Sequence, residues 1–116
     1  MDVRRIQAGP MSKLASEHPQ EYPKGTPSLG EQEIAALARE VPDWTVADGK
    51  LERSFEFRDF QEAFSFLARV ALLAEAESHH PDIASSWNRV TLTFWTHTAE
   101  GLTRNDFIMA AKIDSF

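Results

Sequence analysis

The sequence predicts an α+β domain in which helices pack on one face of a four-stranded antiparallel sheet, in the order α-β-β-α-β-β-α. Three observations carry that prediction. Two stretches, from Ser28 and from Asp59, repeat apolar residues at steps of three and four. Asp48-Gly49 sits between two alternating segments, the signal of a tight hairpin. Val90, Leu92 and Phe94 alternate with Thr91, Thr93 and Trp95, which describes a strand with two unlike faces.

Each element follows in order. Ser28 reads as an N-cap with Glu31 completing a capping box, and Ile34, Leu37, Ala38 and Val41 fall at helical spacing up to Pro42. Trp44 and Val46 begin the first strand, and Leu51 to Phe57 form the second, with Phe55 and Phe57 on one face. Asp59 caps the long second helix, with Glu62 at the reciprocal position. Its apolar stripe is read as Phe60, Ala63, Phe64, Leu67, Val70, Ala71 and Ala74, and it ends near Ser78 because Pro81 biases His80 towards extended backbone. Ile83 to Trp87 suggest the third strand and Val90 to Trp95 the fourth. Gly101 turns the chain, and Thr103 caps a last helix through Ile108, Ala111 and the stem of Lys112.

Residues 1–27 read differently. They hold four of the six prolines, show no periodicity and carry a net charge of +1, so the remainder carries −7. The composition predicts a flexible N-terminal extension followed by one domain at 28–116. Arg4-Arg5 reads as solvated tail with a weak contact signal as the alternative, and Met11 offers a second start.

Composition narrows the function. A chain of 116 residues supports one domain, and no apolar run or leader-like stretch points to a membrane or to export, which predicts a cytoplasmic protein. With no cysteine there is no disulfide scaffold, thiolate metal site or thiol nucleophile. A net charge of −6 argues against direct nucleic-acid binding. Four histidines remain as the chemistry available near neutral pH.

Three of them cluster. His79 and His80 stand where the second helix runs out, and His97 closes the fourth strand. Glu75, four residues before His79, is expected to share its helical face and hydrogen-bond it, fixing its tautomer for proton transfer. A surface turn without a role and a zinc or iron site are the competing readings, although adjacent histidines fit one metal poorly and no HExxH spacing exists. Ser78, Ser85 and Ser86 lack the glycine context of a nucleophile. Asp106 falls at N3 of the last helix, where capping alone would explain it. Trp87 and Trp95 suit a flat heterocycle, and equally a core or an interface.

Glu75, His79-His80-Pro81, Trp87, His97 and Asp106 stand in a spacing of three, five, nine and eight intervening residues. That pattern resembles the signature of the pterin-4a-carbinolamine dehydratase family, also known as the dimerisation cofactor of a homeodomain transcription factor. Phe57-Arg58-Asp59-Phe60, Asn88-Arg89-Val90 and Gly101-Leu102-Thr103 also look like the family, and the resemblance covers about three quarters of the chain. The Ala84-Ser85-Ser86 stretch departs from it, where familiar members are more apolar.

The resemblance implies elimination of water from a 4a-hydroxytetrahydropterin to give quinonoid dihydropterin, with neither metal nor other cofactor. It implies His79 as main general acid with Glu75 behind it, His80 as a group that binds and orients the pterin, and His97 as a second acid-base group. Ser78, Pro81, Trp95, Thr96, Thr98 and Asp106 would complete the substrate site. The resemblance further implies a homodimer or homotetramer, and as alternatives a helical protein partner or a role in molybdopterin-linked metabolism.

Overall fold

The computed structural model describes residues 13–116, so Arg4-Arg5 and Met11 lie outside the described residues. Four strands form one antiparallel sheet in the order β1-β2-β4-β3, with β1 at Thr45–Ala47, β2 at Lys50–Glu56, β3 at Asp82–Ser86 and β4 at Arg89–Phe94. The helices are α1, Glu31–Ala38, α2, Phe60–Glu77, and α3, Arg104–Asp114. The architecture is the α+β fold expected.

Period-two patterning sets the register. Leu51 pairs with Phe94 and Phe55 with Val90, so the buried residues of β2 and β4 share one face, and Leu92 lies there too. Asp48 and Gly49, at φ 53° and 71°, are both left-handed, as a two-residue hairpin turn between β1 and β2 requires. The β3–β4 turn is Trp87-Asn88. Trp87 therefore lies past the end of β3, left-handed at φ 50° and exposed. Asn88 ties the turn back to β2, its amide donating to the Phe57 carbonyl at 2.9 Å.

The Asp59 carboxylate caps α2, accepting from the Glu62 N–H at 2.9 Å. Glu62 reaches back to the N–H of Arg58, one residue beyond the expected reciprocal partner. The buried stripe of α2 is Ala63, Phe66, Val70 and Ala74, whereas Phe60, Phe64 and Ala71 face away from the core. Helical spacing admits both stripes, and Phe66 is selected because its ring packs on Phe55 and Phe57, with centroids 4.7 and 5.0 Å away.

The start of α1 is also displaced from the expectation. The N-cap is Gly30, whose N–H donates to Glu33 at 3.3 Å, rather than Ser28 with Glu31. Ser28 and Leu29 are committed elsewhere: the Leu29 N–H bonds the Leu102 carbonyl at 2.8 Å, and Ser28 lies against Gly101. A Cβ on Gly101 would fall 2.9 Å from the Ser28 Cβ. Gly101→Ala is expected to destabilise the protein by about 1–3 kcal/mol through forced separation of these segments. Urea unfolding reads it directly, and an unchanged midpoint would contradict it.

Residues 13–27, part of the stretch expected as a flexible extension, make contacts with the domain. A 3₁₀ turn at Lys13–Ser16 buries Leu14 in the core, and the Lys112 ammonium donates to the Ala15 carbonyl at 3.0 Å. Glu17 receives two hydrogen bonds from Arg104, at 2.7 and 2.6 Å. These hydrogen bonds hold the Glu17 carboxyl below its ordinary range, so the pair contributes above the usual glutamate pKa and is lost as pH falls through the lowered value. This segment covers the outer side of α3. That explains why α3 is buried almost all round despite weak amphipathic patterning.

Candidate active site

The local backbone at the end of α2 decides which carboxylate meets which imidazole. Ser78 takes a left-handed conformation, φ 55°, with its N–H returning to the Ala74 carbonyl. The helix therefore stops before His79, and the i,i+4 face shared with Glu75 does not extend to it. The expected Glu75–His79 bond is not formed. Glu75 pairs instead with His80, its Oε1 lying 2.6 Å from Nε2, with both side chains largely exposed.

His79 turns inward. Its Nε2 lies 2.7 Å from Oδ1 of Asp106, its ring stacks parallel to Phe94 at 5.9 Å, and its side chain is 12% exposed. Asp106 has no exposed surface. Its Oδ2 accepts from the Thr103 N–H at 2.9 Å and from the Thr96 hydroxyl at 2.8 Å. Because Thr96 gives its proton to Asp106, the Thr103 hydroxyl, 2.7 Å away, donates to Thr96. The helix cap and the imidazole partner are thus one side chain: Asp106 closes the first turn of α3 and holds His79. Among the described residues no buried side-chain nitrogen or oxygen is left without a partner.

His97 opens a short 3₁₀ turn, His97–Ala99, and its ring stacks against Trp95 with centroids 3.8 Å apart and planes 19° apart. The Trp95 indole N–H donates to Asp82 at 3.2 Å, and the Lys50 ammonium lies 5.3 Å from its ring centroid. The Thr96–Gly101 bridge holds this corner, with the Thr96 N–H donating to the Gly101 carbonyl at 2.8 Å.

These pieces surround one cleft of about 640 Å³, within the range of small-molecule sites. Ser78, His79, His80, Trp95, Thr96, His97 and Thr98 all line it. Glu75, Pro81 and Asp106, included with them in the sequence reading, do not line it; Asp106 acts on it only through His79, and Glu75 through His80. Six further lining residues escape that reading: Pro19, Gln20, Glu21, Tyr22, Glu77 and Asn105. Only Asn105, a polar side chain in the first turn of α3 beside Asp106, carries a local signal. Among the described residues no three metal-ligating side chains converge.

Chemically, His79 is an imidazole with one nitrogen engaged by a buried carboxylate. Among the described residues its Nδ1 makes no hydrogen bond, which leaves it free for a ligand. Two further imidazoles at the same cleft, with an indole beside one of them, suit proton transfers on a flat, polar ligand.

Comparison with known proteins points to one family. The family model described as pterin 4 alpha carbinolamine dehydratase matches residues 27–116. A Rubrobacter xylanophilus protein named "Putative pterin-4-alpha-carbinolamine dehydratase" is 47% identical over 105 residues, spanning 90% of this chain and 98% of the relative. A crystal structure from Brucella melitensis, titled a transcriptional coactivator/pterin dehydratase, superposes with a TM-score of 0.72. It is 39% identical, covering 76% of this chain and 96% of that one. Cleft, histidine spacing and relatives agree: this chain belongs to the pterin 4 alpha carbinolamine dehydratase family.

Proposed function

We propose that this protein is a cytoplasmic 4a-hydroxytetrahydrobiopterin dehydratase, a hydro-lyase that recycles oxidised tetrahydropterin. The observation that carries the proposal is the His79–Asp106 pair at a cleft that His80 and His97 also line. Elimination breaks the C4a–O bond and the N5–H bond and forms a C4a=N5 double bond and water. An acid must therefore protonate the departing hydroxyl while a base takes the N5 proton.

In this reading His79 is the principal acid. Asp106 holds Nε2 and orients the ring, leaving Nδ1 to exchange a proton with the substrate. His97, stacked on Trp95, is the second acid-base group, and Trp95 offers a flat surface beside it. His80, steadied by Glu75, binds and orients the pterin with Ser78, Thr96 and Thr98. The elimination moves only protons and water, so the proposal needs no metal or redox cofactor. The decay of carbinolamine ultraviolet absorbance tests it: the protein must accelerate decay above buffer, and equal rates overturn the proposal.

A second reading concerns association. Phe60 and Phe64, 51% and 59% exposed, form a ring pair on the outer face of α2, and β3 presents an unpaired edge with Ile83 exposed. Exposed apolar side chains and an open strand edge are features of contact surfaces. We propose that it supports a homodimer or homotetramer, or seats a helical protein partner, without direct nucleic-acid contact. Phe64→Asp is expected to lower the mass seen by light scattering, and an unchanged mass would remove α2 from the interface.

A further inference from the structure

Residues 19–22 line the cleft although they precede residue 27, where the family match begins. The segment has no helix or strand of its own, so its position depends on side chains that grip it. Asn105 is buried and makes a two-point clamp: its Oδ1 accepts from the Gln20 N–H at 2.9 Å, and its Nδ2 donates to the Gln20 carbonyl at 2.6 Å. Both polar groups of that residue are thus satisfied as a neighbouring strand would satisfy them. Arg104 secures the segment on one side through Glu17, and Thr98 secures it on the other by accepting from the Gly25 N–H at 3.0 Å. Thr98 and Asn105 both line the cleft themselves. Tyr22, half-buried, is held between these ties.

We propose that Gln20–Tyr22, clamped by Asn105, is a substrate-positioning wall, with the Tyr22 ring in contact with the bound pterin. The inference rests on the pterin reading above and adds a binding element to it. A tyrosine offers a large rigid contact surface at low entropic cost. The proposed acid-base groups are His79 and His97, so in this reading the segment takes no proton in the reaction. Its contact is therefore made equally with the ground state and the transition state, and its loss raises KM while leaving kcat in place.

The test uses full-length wild type, Tyr22→Ala, Asn105→Ala and the double variant. Binding of 7,8-dihydrobiopterin, which lacks the 4a-hydroxyl, is followed by quenching of tryptophan fluorescence, and kcat and KM are measured on the carbinolamine. Tyr22→Ala is expected to raise Kd and KM about tenfold, with kcat changed less than about twofold. Asn105→Ala is expected to do the same, and the double variant to lose no more than about the larger single loss, because Asn105 acts through the segment. Tyr22 is only half-buried, so its variant reads the effect even if Asn105→Ala fails to fold. Unchanged Kd and KM in Tyr22→Ala, with a wild type that binds and dehydrates, overturn the wall and leave the dehydratase reading standing. A fall in kcat at constant Kd also overturns it, by placing Tyr22 in the chemistry. A wild type that neither binds dihydrobiopterin nor dehydrates the carbinolamine overturns both.

Discussion

His79→Ala is expected to lower kcat for carbinolamine dehydration by about 10²-fold or more, the usual worth of a positioned proton donor. The side chain lies at the cleft with its second nitrogen engaged by Asp106, so no neighbour stands in the same place to replace it. Some acceleration should survive, since His80 and His97 still line the cleft. The measurement is single-turnover decay of the carbinolamine with enzyme in excess, which separates chemistry from binding. A loss below about threefold would remove His79 from the principal role.

The second large effect distinguishes two possible wirings of the site. Asp106→Asn keeps the shape of the side chain and an oxygen for the Thr96 and Thr103 donors, but sets an amide N–H₂ against Nε2 of His79. The ring then holds a single proton, on Nδ1, and loses the carboxylate that stabilises the doubly protonated imidazolium, the form strong enough to act as the acid. An amide replacing a carboxylate that orients a catalytic imidazole costs up to about 10⁴ in kcat, and about 10² is expected here because three imidazoles share the cleft. Glu75→Gln is expected to change kcat by less than about threefold, because its partner is His80, which the proposed mechanism assigns to binding rather than to the main proton transfer. Far-ultraviolet and near-ultraviolet circular dichroism of Asp106→Asn would establish that the fold is retained. The reverse order of effects, with Glu75→Gln the more damaging, would restore Glu75 as the group behind His79.

That rewiring marks how far the sequence was legible. The alternation of Val90, Leu92 and Phe94, the Asp48-Gly49 turn and the Asp59 and Thr103 caps are local chemistry, and the structure follows them. The partner of Glu75 is not local. It turns on one left-handed residue, Ser78, which redirects the chain by a single step and sends His79 towards an aspartate 27 positions away.

The same distinction explains the other departures. Periodicity in α2 allows Phe64 or Phe66 to face inward, and only the aromatic cluster with Phe55 and Phe57 selects Phe66. Ser28 has the chemistry of an N-cap, yet its contact with Gly101 and the Leu29–Leu102 bond hold that stretch out of the helix. Residues 13–27 contain no periodic signal because the ties that hold them to the domain are made to distant residues, on α3, at Glu77 of α2 and at the Thr98 corner. The wall they form at the cleft depends on these tertiary ties.

The most direct test of the account is one assay on two proteins: carbinolamine decay with wild type and with His79→Ala at equal concentration. The account predicts wild-type decay well above buffer and a catalysed rate about 10²-fold or more lower in the variant. Wild-type decay equal to buffer, or equal catalysis by both proteins, would contradict it.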